Sequence, residues 1–336
     1  MNSPITLETP VTVAGGGSWG TALAHLLAAR GLDTTLWLRD AEVARAVNLS
    51  RENPRYLPGC ALHPALKASC DPASLHRDLL VLAIPCQQLR NWLAAHRARL
   101  KPGLVLVNAA KGLEEKNPVP PSLLAAEILN DMPVRYAVLS GPSFAPEVLR
   151  GLPTAVVLAS AEEHLGRTLR KIFSGPAFRC YSSTDVIGVE LGGALKNVMA
   201  IAAGICDGLG LGHNSRAALI TRGLAETSRI GVACGARPAT FMGLSGLGDL
   251  TLTCTGDLSR NRQVGLRIGR GERLEDIVRS LGMVAEGVKT TIAAHDLAAR
   301  LGMDAPITNA VYDVLHGGIS AQEAMLALMG RELRDE

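Results

Sequence analysis

Aromatic residues are scarce in this chain, and its cationic residues form no long run. The 336 residues include only four Tyr, four Phe and three Trp, and 34 Lys and Arg are balanced by 31 Asp and Glu. Proteins that bind nucleic acids usually cluster their cations on one face and stack bases on aromatic rings. The composition therefore argues against a nucleic-acid partner.

Cysteines show no pairing pattern. The seven cysteines are widely spaced, odd in number and without a C-x-x-C pair. This pattern indicates scattered reduced thiols and neither a disulfide framework nor a zinc site. We therefore expect a cytoplasmic protein whose site contains no metal.

Signals for export or membrane insertion are not evident. Residues 1–10 contain neither a basic segment nor a long apolar run, so no signal peptide is expected. No uninterrupted apolar stretch reaches bilayer length, so no membrane span is expected either. The chain is 47% hydrophobic with a mean hydropathy of +0.19, which is typical of a globular protein. Its length leaves room for two domains.

A glycine motif opens the chain. Residues 11–14 form a β-rich run that leads into Gly15, Gly17 and Gly20, a G-x-G-x-x-G motif followed by a helical pattern. A strand, a glycine turn and a helix are the context of a dinucleotide-binding site. Gly15 permits the tight turn, Gly17 lets a pyrophosphate approach, and Gly20 lets helix and strand pack closely. The helix N-terminus then offers N–H groups to the phosphates.

The end of the second predicted strand bears on the choice of coenzyme. Residues 34–38 form this strand, and Arg39 and Asp40 follow it. An acid here accepts a hydrogen bond from the ribose of NAD, whereas an Arg accommodates the 2′-phosphate of NADP. Arg39 thus favours NADP(H), and Asp40 leaves NAD(H) open. An ordinary surface Arg explains the position about as well.

The rest of the first half alternates strands with helices. Apolar runs at residues 79–84, 104–107, 134–139, 155–159 and 178–181 predict strands of a doubly wound parallel sheet. From residue 185 the pattern is helical. The predicted architecture is α/β, with a Rossmann-like sheet domain over residues 1–184 and an all-helical domain over residues 185–336.

One predicted strand end carries a cation. Lys111 lies just after the strand at residues 104–107. Ligands of open α/β sheets collect at the carboxyl ends of the strands, where Lys111 can hold a phosphate or polarise a carbonyl. A solvated loop lysine is the simpler alternative.

The helical half begins with an apolar helix that carries a lysine. Residues 187–204 are rich in Gly and Ala, so a neighbouring backbone can approach closely, yet Lys196 and Asn197 lie near the middle. A buried ammonium is costly unless it is paired or neutral, and a neutral lysine can accept a proton from a hydroxyl. The alternative is a lysine that reaches along the helix to solvent.

Two later segments add polar groups. Three glycines precede Asp249, whose carboxylate can orient Lys196, cap the following helix, or do both. Arg260, flanked by Ser259 and Asn261, offers a planar set of donors to a phosphate. An exposed polar turn explains Arg260 and its neighbours equally well.

Taken together, these motifs closely resemble one family, the NAD(P)-dependent glycerol-3-phosphate dehydrogenases of the bacterial type. The matching segments are GGGSWGTALA, NAAKGLE, SGPSFAPEV, GLPTAVVLAS, IGVELGGALKNVMAIAAGICDGLGLGHNSRAALITRGLAE, FMGLSGLGDLTLTCTGDLSRNR and VAEGV. The resemblance implies an N-terminal Rossmann domain, a C-terminal helical domain and an active site between them.

The resemblance also implies roles for individual residues. Lys196 matches the proton acceptor, and Lys111 and Asp249 complete the expected catalytic group. The expected substrate contacts are Lys111, Gly141, Ser143, Lys196, Asn197, Asp249, Ser259, Arg260 and Asn261. The expected dinucleotide contacts, beside the three motif glycines, are Ser18, Trp19, Arg39, Lys111, Ala145, Arg260, Val284 and Glu286. Ser143 stands where some members have Thr, which keeps the hydroxyl.

The implied reaction interconverts sn-glycerol 3-phosphate and dihydroxyacetone phosphate with NADP(H) or NAD(H), and it supplies glycerol phosphate to phospholipids. A homodimer is expected. Two rival functions are a ketopantoate or 3-hydroxy-acid reductase of the same fold and a sensor that binds NAD(P)H without turnover. The first would need carboxylate recognition, which residues 247–261 do not resemble. The second would not need both Lys196 and Asp249.

Overall fold

The structure is a computed structural model that describes residues 4–281 and 285–332. The chain forms two compact units. The first unit comprises Met1–Ala110 and Pro121–Val189, and the second comprises Lys111–Pro120 and Glu190–Glu336. The domain boundary between residues 184 and 185 stays a prediction.

The first unit is built on a sheet of eight strands in the order β3-β2-β1-β4-β5-β6-β7-β8. The strands are β1 (Val11–Ala14), β2 (Thr34–Trp37), β3 (Lys67–Ser69), β4 (Leu79–Leu82), β5 (Val105–Asn108), β6 (Arg135–Ser140), β7 (Thr154–Ala159) and β8 (Phe178–Ser183). β1, β2, β4 and β5 are buried along their whole length, and this burial explains the continuous apolar run of β4.

One pair of neighbouring strands departs from the predicted parallel arrangement. β6 and β7 pair antiparallel, whereas every other neighbouring pair is parallel. The connection between them contains one five-residue helix, Ala145–Leu149. So short a helix does not carry the chain back across the sheet, and β7 therefore returns beside β6 in the opposite direction.

Helices of the first unit pack on this sheet. They are α1 (Ser18–Ala29), α2 (Ala41–Leu49), α3 (Cys86–His96), α4 (Pro121–Ile128), α5 (Ala145–Leu149) and α6 (Glu163–Phe173). The buried core joins side chains of the sheet to those of α1 and α6, among them Leu23, Leu27 and Phe173.

The regular elements among the described residues of the second unit are all helices. Its helices are α7 (Val186–Gly208, which starts in the first unit), α8 (Gly212–Ala233), α9 (Pro238–Phe241), α10 (Asp249–Thr255), α11 (Arg260–Gly269), α12 (Leu274–Leu281), α13 (Glu286–Arg300), α14 (Pro306–Tyr312) and α15 (Ala321–Met329). A π-helical turn at Leu244–Gly248 precedes α10.

The 23-residue helix α7 is long and apolar enough to cross a membrane by length and composition, with a mean hydropathy of 1.5 over its best window. The helix is not an uninterrupted apolar run, because Glu190, Lys196 and Asp207 lie in it, but its apolar residues outweigh them in the average. However, 89% of that window is buried inside the protein, as in the core helix of a folded domain.

Helices α7 and α11 cross in backbone contact. A Cβ atom added to Gly204 of α7 would lie 2.1 Å from the carbonyl oxygen of Arg262, and one added to Gly265 of α11 would lie 2.0 Å from that of Ile201. The close approach expected for α7 is therefore confirmed. This crossing fixes the first turn of α11 against α7.

Candidate functional site

The glycine turn, residues 15–20, has the geometry that its spacing predicts. Gly15 has φ +124°, and a Cβ there would lie 2.3 Å from the carbonyl oxygen of Ala83. A Cβ on Gly20 would lie 1.9 Å from the carbonyl oxygen of Gly15. By contrast, nothing lies within 4 Å of a Cβ on Gly17, the residue before α1. The helix N-terminus has no side-chain cap, so its N–H groups and this open space fit a dinucleotide pyrophosphate.

Ser18 and Trp19 form the first positions of α1. The Ser18 hydroxyl donates a hydrogen bond to the carbonyl of Tyr56 at 3.0 Å. What Ser18 presents to a ligand is therefore its backbone N–H. Trp19 packs against the core, and its buried indole N–H has no hydrogen-bond partner among the described residues.

At the end of β2, the side chain of Asp40 already has hydrogen-bond and ion-pair partners, whereas that of Arg39 has none within residues 4–281 and 285–332. Asp40 caps α2 by accepting from the N–H groups of Glu42 and Val43, and it pairs with Arg55 at 3.1 Å. The Val43 N–H bond is the main reason why the pKa of Asp40 lies below its ordinary value. Arg39 is exposed, and its side chain has no partner in the described part of the chain. Of these two side chains, that of Arg39 is thus the one available to a ligand.

The turn after β6 holds three more predicted contacts. Gly141 has φ +130°, and a Cβ there would lie 3.0 Å from Val156. The Ser143 hydroxyl donates to the carbonyl of Gly141 at 2.9 Å. Ala145 is the first residue of α5. These residues form a compact turn at a strand end, and their contacts with ligands stay predictions.

The second unit brings the three predicted catalytic residues together in what we call the charge cluster: Lys111, Lys196 and Asp249. One carboxylate oxygen of Asp249 lies 2.8 Å from Lys111 Nζ, and the other lies 2.9 Å from Lys196 Nζ. The exposed fractions of the side chains are 16%, 8% and 2%, in that order. Lys196 therefore does not reach solvent, and Lys111 is not a solvated loop lysine.

Asp249 does not cap α10, so that alternative was wrong. Gly248 holds the cap position, and Asp249 is the first helical residue. The π-helical turn runs directly into α10, because Gly248 already has helical backbone angles. The carboxylate is therefore free of the helix end and binds the two ammonium groups.

Electrostatics in the charge cluster are dominated by burial and mutual attraction. Burial alone would raise the pKa of Asp249, but the ammonium groups of Lys111 and Lys196 outweigh it and lower the pKa. Burial lowers the pKa of Lys111, and attraction to Asp249 offsets only part of that effect. Two cations around one anion leave a local excess of positive charge. Such a site can stabilise an alkoxide that forms in it.

Thr253 is a functional candidate that our reading of the sequence missed. Lys196 Nζ donates to the Thr253 hydroxyl at 2.7 Å, and that hydroxyl donates to the backbone carbonyl of Asp249 at 2.6 Å. Asp249 and Thr253 therefore both hold Lys196. The available signal was the i, i+4 spacing of Asp249 and Thr253, which places both on one face of α10.

Asn197 and Asn261 belong to a chain of amide hydrogen bonds. Asn197 donates to the carbonyl of Lys111 at 3.3 Å, and Asn261 donates to the Asn197 amide oxygen at 2.9 Å. The Asn261 amide oxygen accepts from Gly287 N–H at 3.0 Å. Both amides thus tie α7, α11 and α13 to the segment that bears Lys111.

The start of α11 presents a free cation. Ser259 caps this helix by accepting from the N–H of Arg262 at 3.2 Å. Arg262 itself pairs with Asp207 and Asp257. Arg260 is exposed, and its side chain has no partner among the described residues. The guanidinium of Arg260 is therefore available to an anion.

Another predicted coenzyme contact is at the start of α13. Glu286 is the first residue of that helix, and its charge acts on Lys111 in the direction that raises the lysine pKa. Val284 lies outside the described residues. Among the described residues, no group of three His, Cys, Asp or Glu is placed to hold a metal ion.

A glycine turn whose geometry fits a pyrophosphate, on a doubly wound sheet, and a buried cluster of two lysines and an aspartate in a helical unit are features expected of a dinucleotide-dependent oxidoreductase. Comparison with known proteins narrows this class. Residues 10–166 match the family model described as NAD-dependent glycerol-3-phosphate dehydrogenase N-terminus, and residues 185–326 match the corresponding C-terminus.

Individual relatives agree with the family models. A glycerol-3-phosphate dehydrogenase (NAD(P)+) of Desulfovibrio desulfuricans is 67% identical over 326 residues, which span 97% of this chain and 98% of the relative. One of Nitratidesulfovibrio vulgaris is 60% identical over 97% of this chain and 99% of its own. The crystal structure of glycerol-3-phosphate dehydrogenase from Coxiella burnetii has a TM-score of 0.92 and 38% identity, covering 97% of this chain and all of that one (100%).

The chain therefore belongs to the NAD-dependent glycerol-3-phosphate dehydrogenase family. The resemblance drawn from the motifs is confirmed, as are the α/β fold class with a helical C-terminal region and the class of NAD(P)-dependent oxidoreductases. The family assignment supports neither the ketopantoate or 3-hydroxy-acid reductase nor the sensor without turnover.

Proposed function

We propose that this protein interconverts sn-glycerol 3-phosphate and dihydroxyacetone phosphate with NADP(H) or NAD(H). The observation that carries the proposal is the charge cluster, in which Asp249 lies within 3 Å of both Lys111 and Lys196. Relatives named glycerol-3-phosphate dehydrogenase (NAD(P)+) are 67% and 60% identical to this chain over 98% and 99% of their own length. The cluster supplies the acid–base chemistry that such a reaction needs.

The glycine turn would hold the dinucleotide. Gly15, Gly17 and Gly20 shape the turn, and the N–H groups at the start of α1 would face the pyrophosphate of the dinucleotide. Trp19 and Ala145 are further expected contacts, together with Val284 and Glu286. When bound, the nicotinamide supplies or accepts the hydride.

Lys196 would move the proton. During reduction the ketone oxygen gains negative charge, and Lys196 donates a proton to it. Lys111 adds a second positive charge that stabilises the developing oxyanion. Asp249 and Thr253 hold Lys196 in place. In the reverse direction Lys196 accepts the proton that the substrate hydroxyl releases.

Arg260 would bind the substrate phosphate. Its guanidinium is exposed and unpaired among the described residues, and it lies at the N-terminal turn of α11. Positive charge at a helix N-terminus favours an anion. Gly141, Ser143, Asn197, Ser259 and Asn261 are the remaining expected substrate contacts. Recognition of the phosphate would separate this ketone from unphosphorylated ones.

Coenzyme preference is proposed to lie with NADP(H). Asp40 is committed to the α2 cap and to Arg55, so it is poorly placed to accept from a ribose hydroxyl. Arg39 has no such commitment and can bind a 2′-phosphate. Arg39→Ala is expected to raise KM for NADPH about tenfold and to leave KM for NADH nearly unchanged.

The cellular setting is proposed from the same resemblance. All seven cysteines are free thiols, which supports a reducing compartment such as the cytoplasm. The product of reduction would enter phospholipid biosynthesis. A homodimer remains our expectation for the assembly.

The test is coenzyme oxidation with dihydroxyacetone phosphate, dihydroxyacetone and ketopantoate as alternative substrates. Turnover restricted to the phosphorylated ketone is expected, and its rate with NADPH and with NADH gives the preference. Turnover with ketopantoate instead would overturn the assignment of Lys196, Asp249 and Arg260.

A further inference from the structure

A loop at residues 53–57 is hydrogen-bonded to the glycine turn, and Asn53 makes the main connection. Asn53 is completely buried, with 0% of its surface exposed. Its side-chain nitrogen donates to the carbonyl of Gly16 at 2.9 Å and to the hydroxyl of Thr21 at 2.8 Å. One amide group thus joins the turn to the first residues of α1.

The other atoms of Asn53 shape the loop itself. Its amide oxygen accepts from the N–H of Tyr56 at 3.2 Å, and its backbone carbonyl accepts from the N–H of Leu57 at 2.9 Å. Ser18 returns a bond to the loop by donating to the Tyr56 carbonyl. The loop and the turn therefore hold each other in one arrangement.

The bond to Gly16 fixes the direction of a neighbouring N–H group. A trans peptide places its carbonyl and the next N–H on opposite sides. Because Asn53 holds the Gly16 carbonyl on one side, the N–H of Gly17 points to the other. Gly17 is also the position where a Cβ would meet nothing within 4 Å.

We propose that Asn53 is a positioning residue for the dinucleotide pyrophosphate. It holds the peptide between Gly16 and Gly17 so that the N–H of Gly17 faces the phosphates. This inference rests on the dinucleotide binding proposed above. A neutral amide suits the position, because both of its N–H groups donate. An aspartate would place a carboxylate against the Gly16 carbonyl and close to a bound anion.

The test compares Asn53→Ala and Asn53→Asp with the wild type by isothermal titration of NADPH in the absence of substrate. We expect Asn53→Ala to bind NADPH about tenfold more weakly and Asn53→Asp to bind it more weakly still. In steady-state kinetics KM for NADPH rises while KM for dihydroxyacetone phosphate stays within about twofold of the wild-type value.

Asn48→Ala is the matched control. Asn48, on α2, also makes two side-chain bonds, to the N–H and the carbonyl of Ala68. Neither bond involves the glycine turn, so we expect its removal to leave NADPH affinity unchanged. An equal loss of affinity in Asn48→Ala and Asn53→Ala would overturn the proposal.

The remaining outcomes separate this inference from the proposed function. If the wild type binds neither NADPH nor NADH, the dinucleotide proposal itself fails. If the wild type binds NADPH and Asn53→Ala binds it equally well, the positioning role is overturned. If Asn53→Ala does not fold, Asn53→Asp decides, because it keeps the shape of the side chain and removes the bond to the Gly16 carbonyl. Weaker NADPH binding by Asn53→Asp then supports the proposal, and unchanged binding overturns it.

Discussion

Asp249 is the residue on which the charge cluster depends. It is the only anion in contact with both lysines among the described residues, and 1% of its surface is exposed. A buried carboxylate costs free energy unless it is paired, and each lysine here has the same requirement. Removing Asp249 therefore affects two cations at once.

Asp249→Asn is expected to lower kcat for reduction of dihydroxyacetone phosphate by about a hundredfold, because Lys196 loses its fixed orientation. Steady-state kinetics measures this. Asp257→Asn is the control, since Asp257 is a 92% exposed carboxylate that pairs with Arg262 near the same helices. A comparable loss in Asp257→Asn would show that the effect is general and would contradict the prediction.

Asp249 also makes stability depend on pH. Its pKa is lower in the folded protein, so its ionised form stabilises the fold above the ordinary carboxyl pKa of about 4. This contribution is lost as the pH falls through the lowered pKa. Asp249→Asn should reduce the free energy of unfolding by about 3 kcal/mol at neutral pH. Urea unfolding across the acid range is expected to show this difference shrinking, and a constant difference would be inconsistent with it.

Thr253 permits a sharper test of how Lys196 is held. Thr253→Val keeps the shape but removes the hydroxyl that accepts from Lys196, and a fall in kcat of about tenfold is expected. Thr253→Ser keeps the hydroxyl and should retain most of the activity. If the two variants lose activity equally, the hydroxyl is not the group that matters.

Among the elements, the crossing of α7 and α11 has the tightest geometry. Gly204 and Gly208 of α7 face Gly265 and Gly269 of α11, and in each case an added Cβ would clash with backbone of the other helix. The same helices carry Lys196, Asn197, Arg260 and Asn261. The distance between these polar groups is therefore set by glycines that take no part in the chemistry.

Gly265→Ala is expected to destabilise the protein by about 3 kcal/mol, because a Cβ lying 2.0 Å from the Ile201 carbonyl oxygen forces the helices apart. Activity should fall with it. Gly166→Ala is the control on α6, where an added Cβ meets its nearest atom at an ordinary 3.8 Å. Thermal unfolding should show Gly166→Ala to be as stable as the wild type or more so. Equal destabilisation by both variants would show that the clash with the Ile201 carbonyl is not the cause.

Local patterns predicted the elements well but not their partners. The G-x-G-x-x-G spacing fixed the turn at Gly15 and Gly20, because that geometry is set by adjacent residues. Small residues on α7 predicted a close neighbour, yet nothing local identified α11. Lys111 and Asp249 lie 138 residues apart, and only the family resemblance assigned both to one expected catalytic group; their direct contact was not predicted. Thr253 and Asn53 were missed because their roles arise from tertiary contacts. The antiparallel β6–β7 pair was missed for the same reason.

At the scale of the whole molecule, the segment Lys111–Pro120 is the unusual feature. It lies in the middle of the first unit's sequence, but it packs with the second unit. Besides Lys111 to Asp249, Arg300 donates to the carbonyl of Pro118 and Lys289 pairs with Glu115. The second unit is therefore incomplete without ten residues from the other half of the sequence.

A fragment of residues 185–336 is accordingly expected to be less stable than the same fragment joined to residues 111–120 through a flexible linker. Without Lys111, an Asp249 oxygen and the Asn197 amide lose their partners, which should cost about 2 kcal/mol. Urea unfolding of both fragments measures the difference. Identical midpoints would mean that the segment contributes nothing to the stability of the second unit.

The same segment limits how relatives can exchange parts by recombination. A junction at residue 184 looks neutral in a linear alignment, since it lies between the two family models. Yet it would take Lys111 from one parent and Asp249 and Asn197 from the other. Any hybrid with a junction between residues 111 and 197 pairs Lys111 of one relative with Asp249 of another. We therefore expect functional hybrids of two relatives to inherit Lys111, Asn197 and Asp249 from the same parent.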